Sequence, residues 1–161
     1  MTRENAVMWS VTRRALAFFR ESGAWRLVST IHIWLYRATR GLIGHQAAGL
    51  ASLLLTTIGR KSGTARTVAL TYVPDGRDYV VVASNGGADR DPAWWLNLAA
   101  RPEATVQVGK DVIPIVAHAA DAVERARLWP LLTAANPFYK RYEELTDRPI
   151  PVVILRPRPP A

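Results

Sequence analysis

Six short apolar runs rich in β-branched residues lie between positions 51 and 156, and turn signals separate most of them. Ala51–Ile58 is the first. Thr67–Val73 alternates in hydropathy and ends at Pro74-Asp75-Gly76, a strong turn. Asp78–Ala83 returns, predicting a β-hairpin. Thr105–Val108 and Val112–His118 predict a second hairpin around Gly109-Lys110-Asp111, and Pro151–Arg156 is the last strand. There is no regular βαβ alternation, so a doubly wound parallel sheet is excluded. Six short strands hide their edges by closing on themselves. The chain therefore reads as α+β: a small, mainly antiparallel barrel with helices packed outside.

The helices are signalled separately. Val7, Val11, Ala15 and Phe18 recur at helical spacing and predict a helix over 4–21; a second follows over 24–39. Asp91 as N-cap and Pro92 at the first position open a helix to about Ala100, and Pro102 stops it. Asp121 with Glu124 forms a capping box for a helix interrupted or kinked at Pro130. Residues 138–146 predict a short helix, and the Pro-rich end, 157–161, a loose tail. The 161 residues fit one globular domain, with 1–40 as an amphipathic helical extension and 41–157 as the barrel.

The composition removes several function classes. There is no cysteine, so disulfides and thiolate-ligated metals are excluded, and His32, His45 and His118 share no metal-binding spacing. No serine stands in a nucleophile elbow, and no pair of acids is placed for glycoside or phosphate chemistry. No signal peptide is expected from the N-terminus. The uncharged stretch 41–59 is too rich in glycine and polar residues to read as a membrane span. The net charge is +8, and the whole excess falls within residues 1–66. Basic amphipathic helices with aromatic residues suit an anionic membrane surface, and equally suit covering a sheet. Nucleic acid is not the expected partner, because no recognised motif is present and the cations are interspersed with apolar helix faces.

Gly59-Arg60-Lys61-Ser62-Gly63-Thr64-Ala65-Arg66 joins two of the apolar runs. Two glycines permit positive φ, so successive backbone N–H groups can form an anion nest. Three cations and a hydroxyl add charge-assisted donors. The spacing is neither a P-loop nor a dinucleotide fingerprint. The stretch reads as a clasp for a phosphorylated or polycarboxylated ligand, or as a turn with solvated charges. Ala83-Ser84-Asn85-Gly86-Gly87 allows close approach of backbone to a flat ligand, and the helix after Pro92 offers a positive dipole end. Trp94 and Leu98 share a helix face and read as core. Tyr139 and Tyr142 share another, lining a pocket or capping a core. With so few reactive side chains, an enzyme built this way relies on a cofactor.

The succession Leu54-Leu55-Thr56-Thr57-Ile58-Gly59-Arg60-Lys61-Ser62-Gly63, Val82-Ala83-Ser84-Asn85-Gly86-Gly87 and Pro92-Ala93-Trp94-Trp95-Leu96-Asn97-Leu98 resembles the deazaflavin-dependent nitroreductase family of actinobacteria. Ala126-Arg127-Leu128-Trp129-Pro130 and Thr146-Asp147-Arg148-Pro149-Ile150-Pro151-Val152 resemble it too. The resemblance implies a split β-barrel of the FMN-binding type. It implies coenzyme F420 as cofactor and hydride transfer from its reduced form, F420H2, to quinones, nitroaromatics or activated enones. By resemblance, Gly59, Arg60, Lys61, Ser62, Gly63 and Arg66 hold the phosphate and tail. Ala83, Ser84, Asn85, Gly86, Pro92, Ala93, Trp94 and Asn97 surround the ring. Ser84, Tyr139 and Tyr142 act at the acceptor. Asn136 and Thr71 stand where some quinone-reducing members carry tyrosine. The alternatives are a non-catalytic carrier of a deazaflavin or lipophile, and an FMN-dependent reductase on the same barrel. A cytoplasmic protein, peripheral on the inner membrane face through residues 1–40, monomeric or homodimeric, completes the expectation.

Overall fold

The computed structural model describes residues 23–41, 46–47 and 50–158. The helix expected over 4–21 lies outside them, as do residues 159–161. Helix α1 (Gly23–Ala38) matches the second predicted helix. Eight strands follow: β1 (Gln46–Ala47), β2 (Leu50–Ile58), β3 (Ala65–Thr71), β4 (Val73–Asp75), β5 (Asp78–Val82), β6 (Glu103–Val108), β7 (Asp111–Ala119) and β8 (Val152–Pro157). Between them lie α2 (Ala93–Ala100), α3 (Ala122–Ala135) and α4 (Phe138–Glu143).

Every strand pairing is antiparallel. Seven strands run in the order β3-β2-β6-β7-β8-β5-β4, with β1 appended to the start of β2. Thus β3 and β4 stand at opposite edges of the sheet, yet only Tyr72 separates them in the chain. A flat sheet cannot meet both conditions, so it curls into a split barrel. This corrects the expected strand Thr67–Val73. The chain turns at Tyr72, whose N–H donates to the Ala51 carbonyl at 3.0 Å, and the two halves take different partners, β2 and β5. With this split and the added β1, eight strands among the described residues replace about six.

Alternation distributes two cores. Leu53, Leu55, Val81, Ala83, Val106, Ile115, Ala117, Val153 and Leu155 fill the barrel, with Trp94 and Leu98 of α2 inserted at its end. Val80, Val82, Val152 and Ile154 point the other way and meet Leu128, Leu132 and Tyr139 of α3 and α4. Both faces of β5 and β8 are thus apolar, which explains their unbroken hydrophobic runs. Each fully buried Leu or Val contributes about 1.5–3 kcal/mol.

Helix boundaries bring further corrections. Pro92, not Asp91, occupies the N-cap of α2. Asp91 is drawn off by an ion pair with Arg148 at 2.8 Å. The capping box of α3 forms in both directions, at 2.8 and 3.0 Å. Pro130 sits inside α3 without interrupting it. Pro157 belongs to β8 rather than to a loose tail, and the Arg158 N–H donates to the Pro114 carbonyl at 2.8 Å. The strand registers collect the β2–β3 loop, the segment after β5 and the entry to β8 at one end of the barrel.

Candidate functional site

The β2–β3 loop is braced from within. Gly59 donates to the Thr64 carbonyl and Gly63 to the Gly59 carbonyl, both at 2.8 Å; Ser62 donates to Gly59 at 3.2 Å. The Thr64 N–H reaches Ser62 Oγ at 3.4 Å. The Arg60 N–H donates to Asn97 Oδ1 at 3.1 Å, while Asn97 Nδ2 donates to Thr57 Oγ1 at 3.1 Å. These amides are spent on the loop and on α2, so the expected open nest of N–H groups is not formed. Only Gly63 uses positive φ, at 66°. Gly59 supplies room instead, since a Cβ there would lie 2.7 Å from Ser62 Oγ. What the loop presents to solvent is side chains: Arg60, Lys61 and Arg66 are exposed. The Ser62 hydroxyl shares a 2.8 Å hydrogen bond with Thr64 Oγ1.

After β5 the chain forms a tight turn. Asn85, Gly86 and Gly87 all have positive φ, at 49°, 64° and 75°. Gly87 is buried, and a Cβ there would approach Leu145 Cβ at 3.0 Å and Tyr142 Cα at 3.3 Å. Only glycine tolerates both the conformation and the contact. Asn85 Nδ2 donates to the Arg90 carbonyl at 2.9 Å. Ser84 is buried at the base of the turn, beside Ala83 in the barrel core. Gly86 and Ala93 are exposed; Pro92, Trp94 and Asn97 are buried.

Helix α4 carries the tyrosines. Tyr139 is buried, with its hydroxyl 3.1 Å from Thr71 Oγ1 and its ring 6.4 Å from that of Trp129. Tyr142 is half-buried, with exposed Phe138 stacked 6.4 Å away. Burial, and secondarily the neighbouring Tyr139, raises the Tyr142 phenol above the ordinary tyrosine pKa. It therefore remains a donor throughout the neutral range. The structure brings Tyr142 against the Ser84–Gly87 turn, and Arg60 against Asn97. Among the described residues no three His, Asp or Glu side chains cluster as metal ligands. A hollow of about 420 Å³ opens beside Tyr72, Tyr79, Ile113 and Pro157, and none of the predicted site residues lines it.

Sequence reasoning missed the residue that organises this end of the barrel. Arg148 donates to the carbonyls of Ala83, Ser84 and Ala88 at 3.0, 2.8 and 2.8 Å, besides pairing with Asp91. A lone arginine between prolines and an aspartate carries no periodic signal; only the acceptors, some sixty positions away, reveal its role.

A family model described as F420H(2)-dependent quinone reductase matches residues 27–157. The F420H(2)-dependent quinone reductase Rv1261c of Mycobacterium tuberculosis is 42% identical over 132 residues, covering 80% of this chain and 89% of its own. The solved F420-H2 dependent reductase FDR-A superposes with a TM-score of 0.60 at 40% identity, over 65% of this chain and 93% of its own. Another solved chain, described as a domain-swapped dimer, gives 0.64 at 36% identity, over 83% and 98%.

Proposed function

Since the chain belongs to the F420H(2)-dependent quinone reductase family, we propose that its site spans the β2–β3 loop, the Ser84–Gly87 turn and α4, and serves hydride transfer to a quinone. The observation that carries this assignment is the donor set of the loop. Arg60, Lys61 and Arg66 are exposed on a loop whose amides at 59, 60, 62, 63 and 64 already donate within the protein. Cations held on a preorganised turn suit a ligand bearing phosphate and carboxylates, and the residues fit coenzyme F420 in that respect. Reduced F420, when bound, supplies the hydride. The protein's part is to bind, orient and move a proton. Gly59, Arg60, Lys61, Ser62, Gly63 and Arg66 hold the charged tail. Ala83, Ser84, Asn85 and Gly86, with Pro92, Ala93, Trp94 and Asn97 behind them, form the seat for the ring. Ser84 and Tyr142 hydrogen-bond the acceptor oxygen; Tyr139, fixed by Thr71, backs Tyr142. One hydride and one proton convert a quinone to its hydroquinone; the Tyr142 phenol passes the proton to the acceptor oxygen and regains one from solvent, to which the half-buried side chain is open.

Lys61→Ala tests the clasp. Losing one charge-assisted contact should weaken F420 binding by about tenfold, read by tryptophan fluorescence quenching. Unchanged affinity in the folded variant would contradict the assignment. F420H2 mixed with menadione should change its absorbance at catalytic protein levels as it is oxidised; no turnover favours a carrier, and a yellow protein on purification favours FMN. Nitroaromatics and activated enones belong in the same assay as further acceptors.

Two finer features belong to this proposal. A homodimer in solution is supported by the solved relative described as a domain-swapped dimer, and light scattering reads the mass directly. Peripheral attachment to the inner face of the membrane is supported by Ile31 and Trp34, exposed on α1 in the basic part of the chain. Liposome flotation that is unaffected by Trp34→Glu would remove it. No helix among the described residues is long and apolar enough to cross a membrane. Residues 1–40 would then act as the adaptor and 41–157 as the catalytic barrel.

A further inference from the structure

Arg148 follows α4 and precedes β8, and its side chain is only 14% exposed. A guanidinium has five N–H donors, fixed in one plane. Here five hydrogen bonds account for them. Nε donates to the Ala88 carbonyl at 2.8 Å. One terminal nitrogen donates to Asp91 Oδ1 at 2.8 Å and to the Pro149 carbonyl at 3.4 Å. The other donates to the carbonyls of Ala83 at 3.0 Å and Ser84 at 2.8 Å. Four of the five acceptors lie in one short segment, 83–91, which wraps the cation. The Ser84 carbonyl also accepts from the Gly87 N–H at 2.9 Å, so that peptide plane is held from two sides.

This arrangement has a directional consequence. In a planar trans peptide the C=O and the following N–H point opposite ways. With the Ala83 and Ser84 carbonyls turned onto the guanidinium, the N–H groups of Ser84 and Asn85 are turned away from it. The turn that follows consists of three residues at positive φ, a conformation an unsupported loop does not keep. Asp91 balances the buried charge and holds the far end of the segment, just before Pro92 and α2.

We propose that Arg148 is a positioning residue for hydride transfer. It fixes the orientation of the Ser84–Gly87 turn, and through it the seat of the ring, without touching cofactor or acceptor. This rests on the functional reading above. It separates two jobs within the site: the exposed cations of the β2–β3 loop set affinity, and the buried cation at 148 sets alignment.

The test uses Arg148→Lys and Arg148→Ala in the full chain. Lysine keeps the charge but has three donors on one atom and cannot reach acceptors spread around a plane. Hydrogen exchange, followed by mass spectrometry on the cofactor-free protein, should speed up by about tenfold or more at amides 84–91 in both variants, with β2, β6 and β7 unchanged. With F420H2 and menadione, kcat should fall by about tenfold while the KM for F420H2 stays within about threefold. Millimolar guanidinium should restore part of the Arg148→Ala rate, and methylammonium should not. If Arg148→Ala does not fold, Arg148→Lys carries the exchange and kinetic arms. Wild-type exchange at 84–91 overturns the clamp. Faster exchange with unchanged kcat, or a KM rise with kcat intact, overturns the positioning role. A wild-type protein that does not turn over F420H2 defeats the functional reading instead, and the clamp is then judged by exchange alone.

Discussion

At the residue scale, side chains divide into those spent on the loops and those left for a ligand. Asn97 belongs to the first kind. Its amide links Thr57 of β2 to the backbone of Arg60 across the barrel end, while the residue itself is buried. Asn97→Ala should orphan the Arg60 N–H and the Thr57 hydroxyl and cost about 1–3 kcal/mol, read as a lower urea midpoint. The same change should raise the KM for F420H2, because the clasp loses its brace. On the proposed function, Tyr142 belongs to the second kind. Tyr142→Phe removes the phenol but keeps the stack with Phe138, so kcat should drop by about 10²-fold with little effect on stability. The exposed cationic β2–β3 loop was legible in the sequence because glycine, cations and serine carry their chemistry locally. Its backbone was not, since the carbonyls and Asn97 that consume the amides lie up to 37 residues away.

At the element scale, α1 and the β3–β4 corner show where local signals suffice. The periodicity of 24–39 gives the helix within a residue or two of its observed limits. What docks it is non-local. Tyr36 is fully buried; its hydroxyl donates to the Ser52 carbonyl and accepts from the Gly109 N–H, both at 3.0 Å. Gly41 lies against the β6–β7 turn so closely that a Cβ would sit 2.5 Å from Gly109 Cα. Gly41→Ala combines that clash with positive φ, at 83°, and should undock α1: exchange at 30–41 should rise sharply while the interior strands stay protected. Tyr36→Phe should cost about 1–3 kcal/mol and leave the helix docked. Thr67–Val73 reads as one strand because alternation continues through Tyr72. Only the pairing partners reveal two strands, and pairing is a tertiary choice. Asp91 is a comparable case: its capping chemistry was legible, but its distant competitor Arg148 was not.

At the scale of the whole molecule, the sheet curls at one residue, Tyr72, and its β4–β5 edge is secured by charge. The β4–β5 hairpin forms the end of the sheet order, and nothing pairs with the outer side of β4 among the described residues. Arg127 of α3 reaches over and binds the Asp75 carboxylate through two parallel bonds, at 2.8 and 2.7 Å. Arg156 of β8 binds Asp78 across the same hairpin, at 3.1 and 3.2 Å. The hydrogen bonds from Arg127, reinforced by its charge, hold the Asp75 carboxyl below the ordinary carboxylate range. A depressed folded pKa stabilises the native state fully above the unfolded carboxyl value, and that contribution is lost as pH falls through the folded value. The urea midpoint should therefore be flat with respect to this pair at neutral pH and decline on the acid side, below about pH 4. Asp75→Asn should lower the midpoint at neutral pH and make the acid decline shallower, so that the two curves converge at low pH. Curves that stay parallel from neutral to acid pH would show that the Asp75–Arg127 pair does not couple folding to protonation, and that the hairpin is held by its hydrogen bonds and by packing on α3 alone. High salt should narrow the neutral-pH gap, because the Arg127 side of the pair faces solvent.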